Sequence, residues 1–204
     1  MQAGYVLADL SVEPPCAATR RISDEALIQS IAEGDKQALS TLFARNRLPV
    51  YRFALRLTHD ESVANDIVSD VFLDVWREAY GFEARAKVST WLLAVTRNKA
   101  FSVLRRRHEF PWDNDAALAI EDPSDDAETT VGKHKQSAIL RKCLTQLSPE
   151  HREIIDLVYY HGKSVSDVAQ IVGIPKSTVK TRMFYARSQI GRLLKKDGLD
   201  RASL

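Results

Sequence analysis

The 204-residue sequence predicts an all-α protein of two small helical domains joined by a flexible linker. Three observations carry this. Apolar residues recur at helical spacing through residues 22–108 and again through 133–196, and nowhere at the strict alternation of a strand. Between these blocks, residues 109–132 hold acidic side chains, Pro111 and Pro123, and no apolar period. Charge is segregated as well. The net formal charge of +2 conceals a strongly acidic middle, from His108 to Gly132, with no Lys or Arg, and a strongly basic stretch after it. A basic module behind an acidic spacer is the electrostatic footprint of a nucleic-acid-binding domain on a solvated tether.

Residues 1–21, with Pro14-Pro15 and no sustained period, are expected to be a flexible extension. Ser23 can cap a first helix with Ala26, Leu27, Ile31 and Ala32 inward and Gly34 at its end. A second begins near Asp35, its stripe running through Ala38, Leu39, Leu42 and Phe43. Past an expected kink at Pro49 it continues through Val50, Phe53, Ala54 and Leu57. The third has Ser62 as N-cap, Gly81 as stop, and a wide apolar face of Val63, Ile67, Val68, Val71, Phe72, Val75, Trp76 and Ala79. The fourth runs from about Ser89 to Arg107, with Trp91, Leu92, Val95, Ala100 and Leu104 inward and a basic outer surface. These four helices are expected to form one bundle over residues 22–108.

The linker over 109–132 has an expected end-to-end distance of roughly 27 Å and a fully stretched limit of about 85 Å. Helices resume near Gly132. One is expected to run to Leu147, a second from Pro149 to His161, a third from Ser164 to Val172 and a last from Lys176 to Lys195, before a tail at 197–204. In the last pair Ser164 caps the first helix, Gly173 supplies the positive φ for a sharp exit, and Pro175 suits the first turn of the next. Val179, Met183, Ala186, Ile190 and Leu193 recur every three or four residues, which leaves Lys176, Ser177, Lys180, Thr181 and Phe184 on the opposite face. This is a helix-turn-helix whose last helix can enter a groove. Lys and Ser/Thr at its N-terminal end, Thr178 included, can reach base edges, while Arg182 and Arg187 can neutralise phosphates.

Asp66, Asp70 and Asp74 fall at four-residue intervals on the third helix, so three carboxylates share one face and call for a basic partner. A metal site on one helix face would spread its ligands about 6 Å apart per step, and no His stands beside them, so no metal is expected there. From Arg85 to Arg107 the sequence is basic throughout and contains no acid. Trp91 and Phe101 among these charges could stack on a base. Cys16 and Cys143 are too far apart, and too isolated from other ligands, to suggest a disulfide or a zinc site. Neither a signal peptide nor a membrane span is expected, which suits a cytoplasmic location without membrane insertion. No cofactor-binding or nucleotide-hydrolysis loop appears, and no catalytic residue or enzymatic activity is expected.

NDIVSDVFLDVWREAYGFE followed by KVSTWLLAVTRNKAFSVLRRR resembles the second conserved region of extracytoplasmic-function sigma factors, which belong to the sigma-70 family. LSPEHREIIDLVYYHGKSVSDVAQIVGIPKSTVKTRMFYARSQI resembles their fourth, and the two blocks occur in the family's order around a variable linker. The resemblance implies a factor that binds core RNA polymerase, through the β′ clamp helices and the β subunit, recognises and melts promoter DNA, and starts transcription of a stress- or signal-responsive regulon. An anti-sigma factor is a further candidate partner. Carried residue by residue, Asp66, Asp70, Phe72 and Trp76 fall in the polymerase-binding stretch. Arg85, Lys87, Trp91, Arg97, Asn98 and Lys99 fall in the part that holds and melts the start-proximal promoter element, with the loop from Glu83 to Thr90. Lys176, Ser177, Thr178, Lys180, Thr181, Arg182 and Arg187 fall in the helix that reads the distal element. Asn65 and Ser69 depart from the acid and Gln frequent in the family, which bears on the detail of docking. Elements separated by about 17–20 base pairs lie roughly 60–70 Å apart at ~3.4 Å per pair. The alternative is a conventional helix-turn-helix regulator that is not a polymerase subunit; binding to core polymerase separates the two.

Overall fold

A computed structural model of the chain describes residues 22–109 and 142–196. The N-terminal extension with Cys16, nearly all of the acidic linker, the start of the helix expected near Gly132 and the tail 197–204 lie outside the described residues. Among those described there is no strand.

The front unit begins with α1, Asp24–Ala32, capped as expected by the Ser23 hydroxyl, which accepts from the Ala26 N–H. Asp35 caps α2, Lys36–Thr58, by accepting from the N–H groups of Gln37 and Ala38. This helix runs on through Pro49, whose missing N–H leaves the carbonyl four residues earlier without its intrahelical donor. Asp24 ties the first two helices together: Arg45 and the buried Asn46 both donate to its carboxylate, each at 3.0 Å. The third helix, α3, spans Glu61–Glu78, and its cap differs from expectation. Asp60, not Ser62, accepts from the Val63 N–H; both are good capping residues, and the left-handed turn at His59 (φ 54°) puts Asp60 at the helix mouth. A 3₁₀ turn at Ala79–Gly81 follows. The helix α4, Val88–Glu109, completes the bundle. Its core joins Leu27, Ile28 and Ile31 of α1 with Leu42, Val50 and Ala54 of α2, Ile67, Val71 and Val75 of α3, and Leu92 and Ala100 of α4.

The rear unit opens on a helical turn at 142–145, followed by α5, Pro149–Ile155, which continues as a π-helical segment at Asp156–Tyr160. Arg152 donates to the carbonyls of Leu144, Thr145 and Leu147 and so closes the end of that opening turn. Ser164 and Asp167 form a reciprocal capping box at the start of α6, Val165–Val172. Gly173 leaves it at φ 74°, and no neighbour lies near a side chain built there, so its backbone conformation is what calls for glycine. The last helix, α7, spans Lys176–Lys196; Pro175 sits just before it, its carbonyl accepting from the Val179 N–H.

The two units are not held apart. Phe53 of α2 and Leu93 of α4, at 0 % and 2 % exposure, lie in one apolar cluster with Ile154, Leu157, Val168, Ile171, Val172 and Val179 of the rear unit. The rear unit's separate cluster is small: Leu147, Ile155 and Ala186, with Leu144 and Ile190 against it. Sequence periodicity assigns Phe53 to the bundle's own core and overlooks Leu93. The reason lies in α4, which sends Leu92 and Ala100 into the front core and Leu93 into the rear one, so no single apolar stripe describes it.

Candidate nucleic-acid interface

The helix-turn-helix is built as its sequence requires. The capping box fixes the start of α6, Gly173 turns the chain, and buried Val179 and Ala186 orient α7. Lys176, Ser177, Lys180 and Thr181 are thereby exposed along the first half of α7, with Phe184 outward beyond them. Thr178 and Arg182 are half-buried toward the rest of the unit. The carboxyl of Glu150 is held below the ordinary carboxylate range, first by its own backbone N–H, then by Ser148, with a smaller contribution from Arg182. Arg187 is exposed, its guanidinium 5.6 Å from the centre of the Tyr159 ring.

On the front unit, the loop after α3 surrounds an open cleft of about 470 Å³ lined by Tyr80, Phe82, Glu83, Arg85 and Trp91 among others. Ala84 turns the loop through φ 52°, Arg85 pairs with Glu83, and Tyr80 is 84 % exposed. The Trp91 ring is partly buried, packing on Phe82 with centroids 5.1 Å apart. The Lys87 carbonyl accepts from the N–H groups of Thr90 and Trp91, which starts α4 and leaves the Lys87 side chain in solvent. The result is an aromatic-lined cleft that Arg85 borders together with Glu78 and Glu83, its rings a platform for an unpaired base. Arg85 and Trp91 thus meet at one place, with Lys87 exposed beyond the cleft's lining and Asn98 exposed two turns along α4.

The other two cations expected there are drawn to partners on other helices. Lys99 Nζ lies 2.6 Å from Asp74 Oδ2, so a basic partner for the carboxylate row comes from within the bundle. Asp66 and Asp70 remain exposed, whereas Phe72 is a core residue with its ring edge-on to Phe43, and Trp76 is partly buried. Arg97 faces the rear unit: its Nε is 2.6 Å from Glu153 Oε1, and its guanidinium lies over the Phe101 ring.

Several residues at this junction were not anticipated from sequence. Arg56 pairs with Asp156, Lys163 Nζ donates to the Ser89 hydroxyl at 2.7 Å, and the Thr90 hydroxyl donates to Asp167 at 3.3 Å. His161 stacks edge-on against Phe53. Burial pushes the Lys163 ammonium below the ordinary lysine range, with Asp167 opposing and Lys87 adding to the shift. Asp167 is held below its usual range, first by the Ser164 hydroxyl. The available signal was acids among apolar neighbours in REIIDLVYY: Glu153 and Asp156 sit where a helix facing a core carries Ile or Leu, and buried acids call for partners.

Residues 42–109 match the family model for sigma-70 region 2, and residues 137–190 match that for sigma-70 region 4. The chain is similar to the ECF RNA polymerase sigma factor SigM of Mycobacterium tuberculosis, with 31 % identity over 84 % of this chain and 85 % of that one. It is similar also to SigL of the same species, with 30 % identity over 86 % of this chain and 99 % of that one. Among solved structures it resembles the sigma factor RpoE of Bartonella quintana in complex with the anti-sigma factor NepR. That match has a TM-score of 0.62 and 26 % identity, covering 76 % of this chain and 96 % of the other.

Proposed function

This chain belongs to the extracytoplasmic-function sigma factors of the sigma-70 family, and from that premise we propose how its residues divide the work of promoter opening. As a sigma factor it is a non-catalytic subunit that brings core RNA polymerase to promoter DNA, and it works in the cytoplasm, where the polymerase is. The exposed carboxylates Asp66 and Asp70 on α3 face the polymerase clamp, with Phe72 and Trp76 fixing that helix from beneath. The cleft bounded by Tyr80, Phe82 and Trp91 accepts a base of the opened strand, while Arg85, Lys87 and Asn98 hold its backbone. The first half of α7 enters the major groove of the distal element, where Lys176, Ser177, Lys180 and Thr181 reach base edges. An anti-sigma protein, as bound by the Bartonella relative, is a further partner.

The observation that carries this reading is the pairing, in one chain, of an exposed polar and cationic helix start with an aromatic-lined cleft followed by the exposed Lys87. Strand melting then draws on binding energy, by trapping a base that has left the stack. Run-off transcription from linear promoter DNA with purified core polymerase tests it. The chain should start transcription, Trp91→Ala should lose open-complex formation, and Lys180→Ala should weaken duplex binding and lower the salt slope by about one. Failure to bind core polymerase would overturn the reading.

A further inference from the structure

We propose that this chain latches itself shut: Glu153 and Asp156 of the rear unit hold Arg97 and Arg56 of the front unit, and this contact must open before both promoter elements can be engaged. The inference rests on the sigma-factor reading for its second half only.

Two kinds of contact make the junction. Its apolar part joins Phe53 and Leu93 to Ile154, Leu157, Val168 and Val179, none above 2 % exposure. Its polar part consists of cross-unit pairs. Arg97 meets Glu153 through two nitrogens, at 2.6 and 3.4 Å, and Arg56 meets Asp156 while its guanidinium lies 4.1 Å over the Tyr160 ring. The two acids are 5 % and 7 % exposed in their side chains, and the arginines 22 % and 26 %. Acids this deeply placed are stable only with their cations present. When the units part, all four groups regain water, so such pairs fix the register of closure without making it permanent. The π-helical segment supplies the geometry, since Asp156 opens the widened turn and Leu157 follows it into the apolar cluster.

Closure competes with promoter binding in two ways. The first is occupancy. Ser89, Thr90 and Arg97, at or beside the segment expected to hold the opened strand, are engaged by Lys163, Asp167 and Glu153. A nucleic-acid phosphate must displace the Glu153 carboxylate to reach Arg97. The second is distance. The helix α6 packs on α4 and α7 packs on α6, and each step between packed helices is about 8–10 Å, which puts the recognition helix within about 20 Å of α4. Promoter elements lie roughly 60–70 Å apart, so the closed form reaches one of them at a time.

The test uses the full chain with Cys16→Ser, carrying dyes on Ser40→Cys and Ser188→Cys, both exposed positions on α2 and α7. Energy transfer should show a dominant short-distance population. Glu153→Gln combined with Asp156→Asn should cut the closed-to-open ratio about tenfold or more. In run-off transcription with core polymerase, the same double variant should reach half-maximal signal at a several-fold lower concentration, because less of the chain is withheld in the closed form. If the double variant loses helix content by circular dichroism, Arg56→Ala, on the solvent side of its pair, should move the distance the same way. A wild-type chain already extended, or distances indifferent to all these changes, overturns the latch. An opened chain that transcribes no better overturns its inhibitory role. Distances that respond while neither protein supports transcription leave closure standing and remove the sigma-factor reading.

Discussion

The front and rear units solve the same problem with unequal means. The front bundle draws buried residues from four helices into one core. Among the described residues the rear unit has a small cluster of its own at Leu147, Ile155 and Ala186, while Ile154, Leu157, Val168, Ile171, Val172 and Val179 are buried together with Phe53 and Leu93 of its neighbour. A small helical unit buries too little surface to be strongly stable alone, so docking contributes to its fold as well as to its position. The junction around Phe53 and Leu93 thus serves as hydrophobic core for the rear unit while belonging, by sequence, to the front one.

The largest effects should come from the two cores. Leu42→Ala, inside the front core alone, should cost about 2–5 kcal/mol, and Phe53→Ala, at the junction, about 3–5 kcal/mol. Hydrogen exchange separates them: the first should expose front-unit amides, while the second should also lose protection in α6 and around Leu157. Identical exchange patterns would break the contrast between the units. Next, Gly173→Ala places a side chain on a left-handed residue with open space around it, so backbone strain alone should lower thermal stability by about 1–2 kcal/mol. That loss should fall on the helix-turn-helix and leave the front bundle unchanged.

Ser164→Ala removes the α6 cap and should cost about 1 kcal/mol at neutral pH, read as a lower melting temperature. Its pH dependence follows from Asp167, whose folded-state pKa lies below the ordinary 3.8 chiefly through the Ser164 hydroxyl. A depressed carboxyl stabilises the fold above its unfolded value and loses that contribution as pH falls through its folded value. The gap between wild type and Ser164→Ala should therefore be full near neutrality and shrink in melts run well below pH 4. The smallest effect is expected from Asp74→Asn, which removes the partly exposed pair with Lys99 and should cost under about 1 kcal/mol. A larger loss there would mean that the carboxylate row braces the front bundle more than a surface pair can.

Local chemistry in the sequence specifies α1, α2 and the helix-turn-helix pair α6 and α7. Ser23, Asp35 and Ser164 supply caps, Gly34 and Gly173 the left-handed exits, and the apolar period of α7 decides that Lys176, Ser177, Lys180 and Thr181 face outward. These are short-range effects, complete within a turn or two of helix, and the two family motifs were legible for the same reason. Assembly of the fold, by contrast, settles that Phe53 and Leu93 leave the front core for the rear one and that Arg97 and Lys99 are taken by Glu153 and Asp74. Those choices depend on partners far away in sequence, Arg97 and Glu153 being 56 residues apart. Helical periodicity tells which residues must be buried, and only the assembled fold selects what buries them.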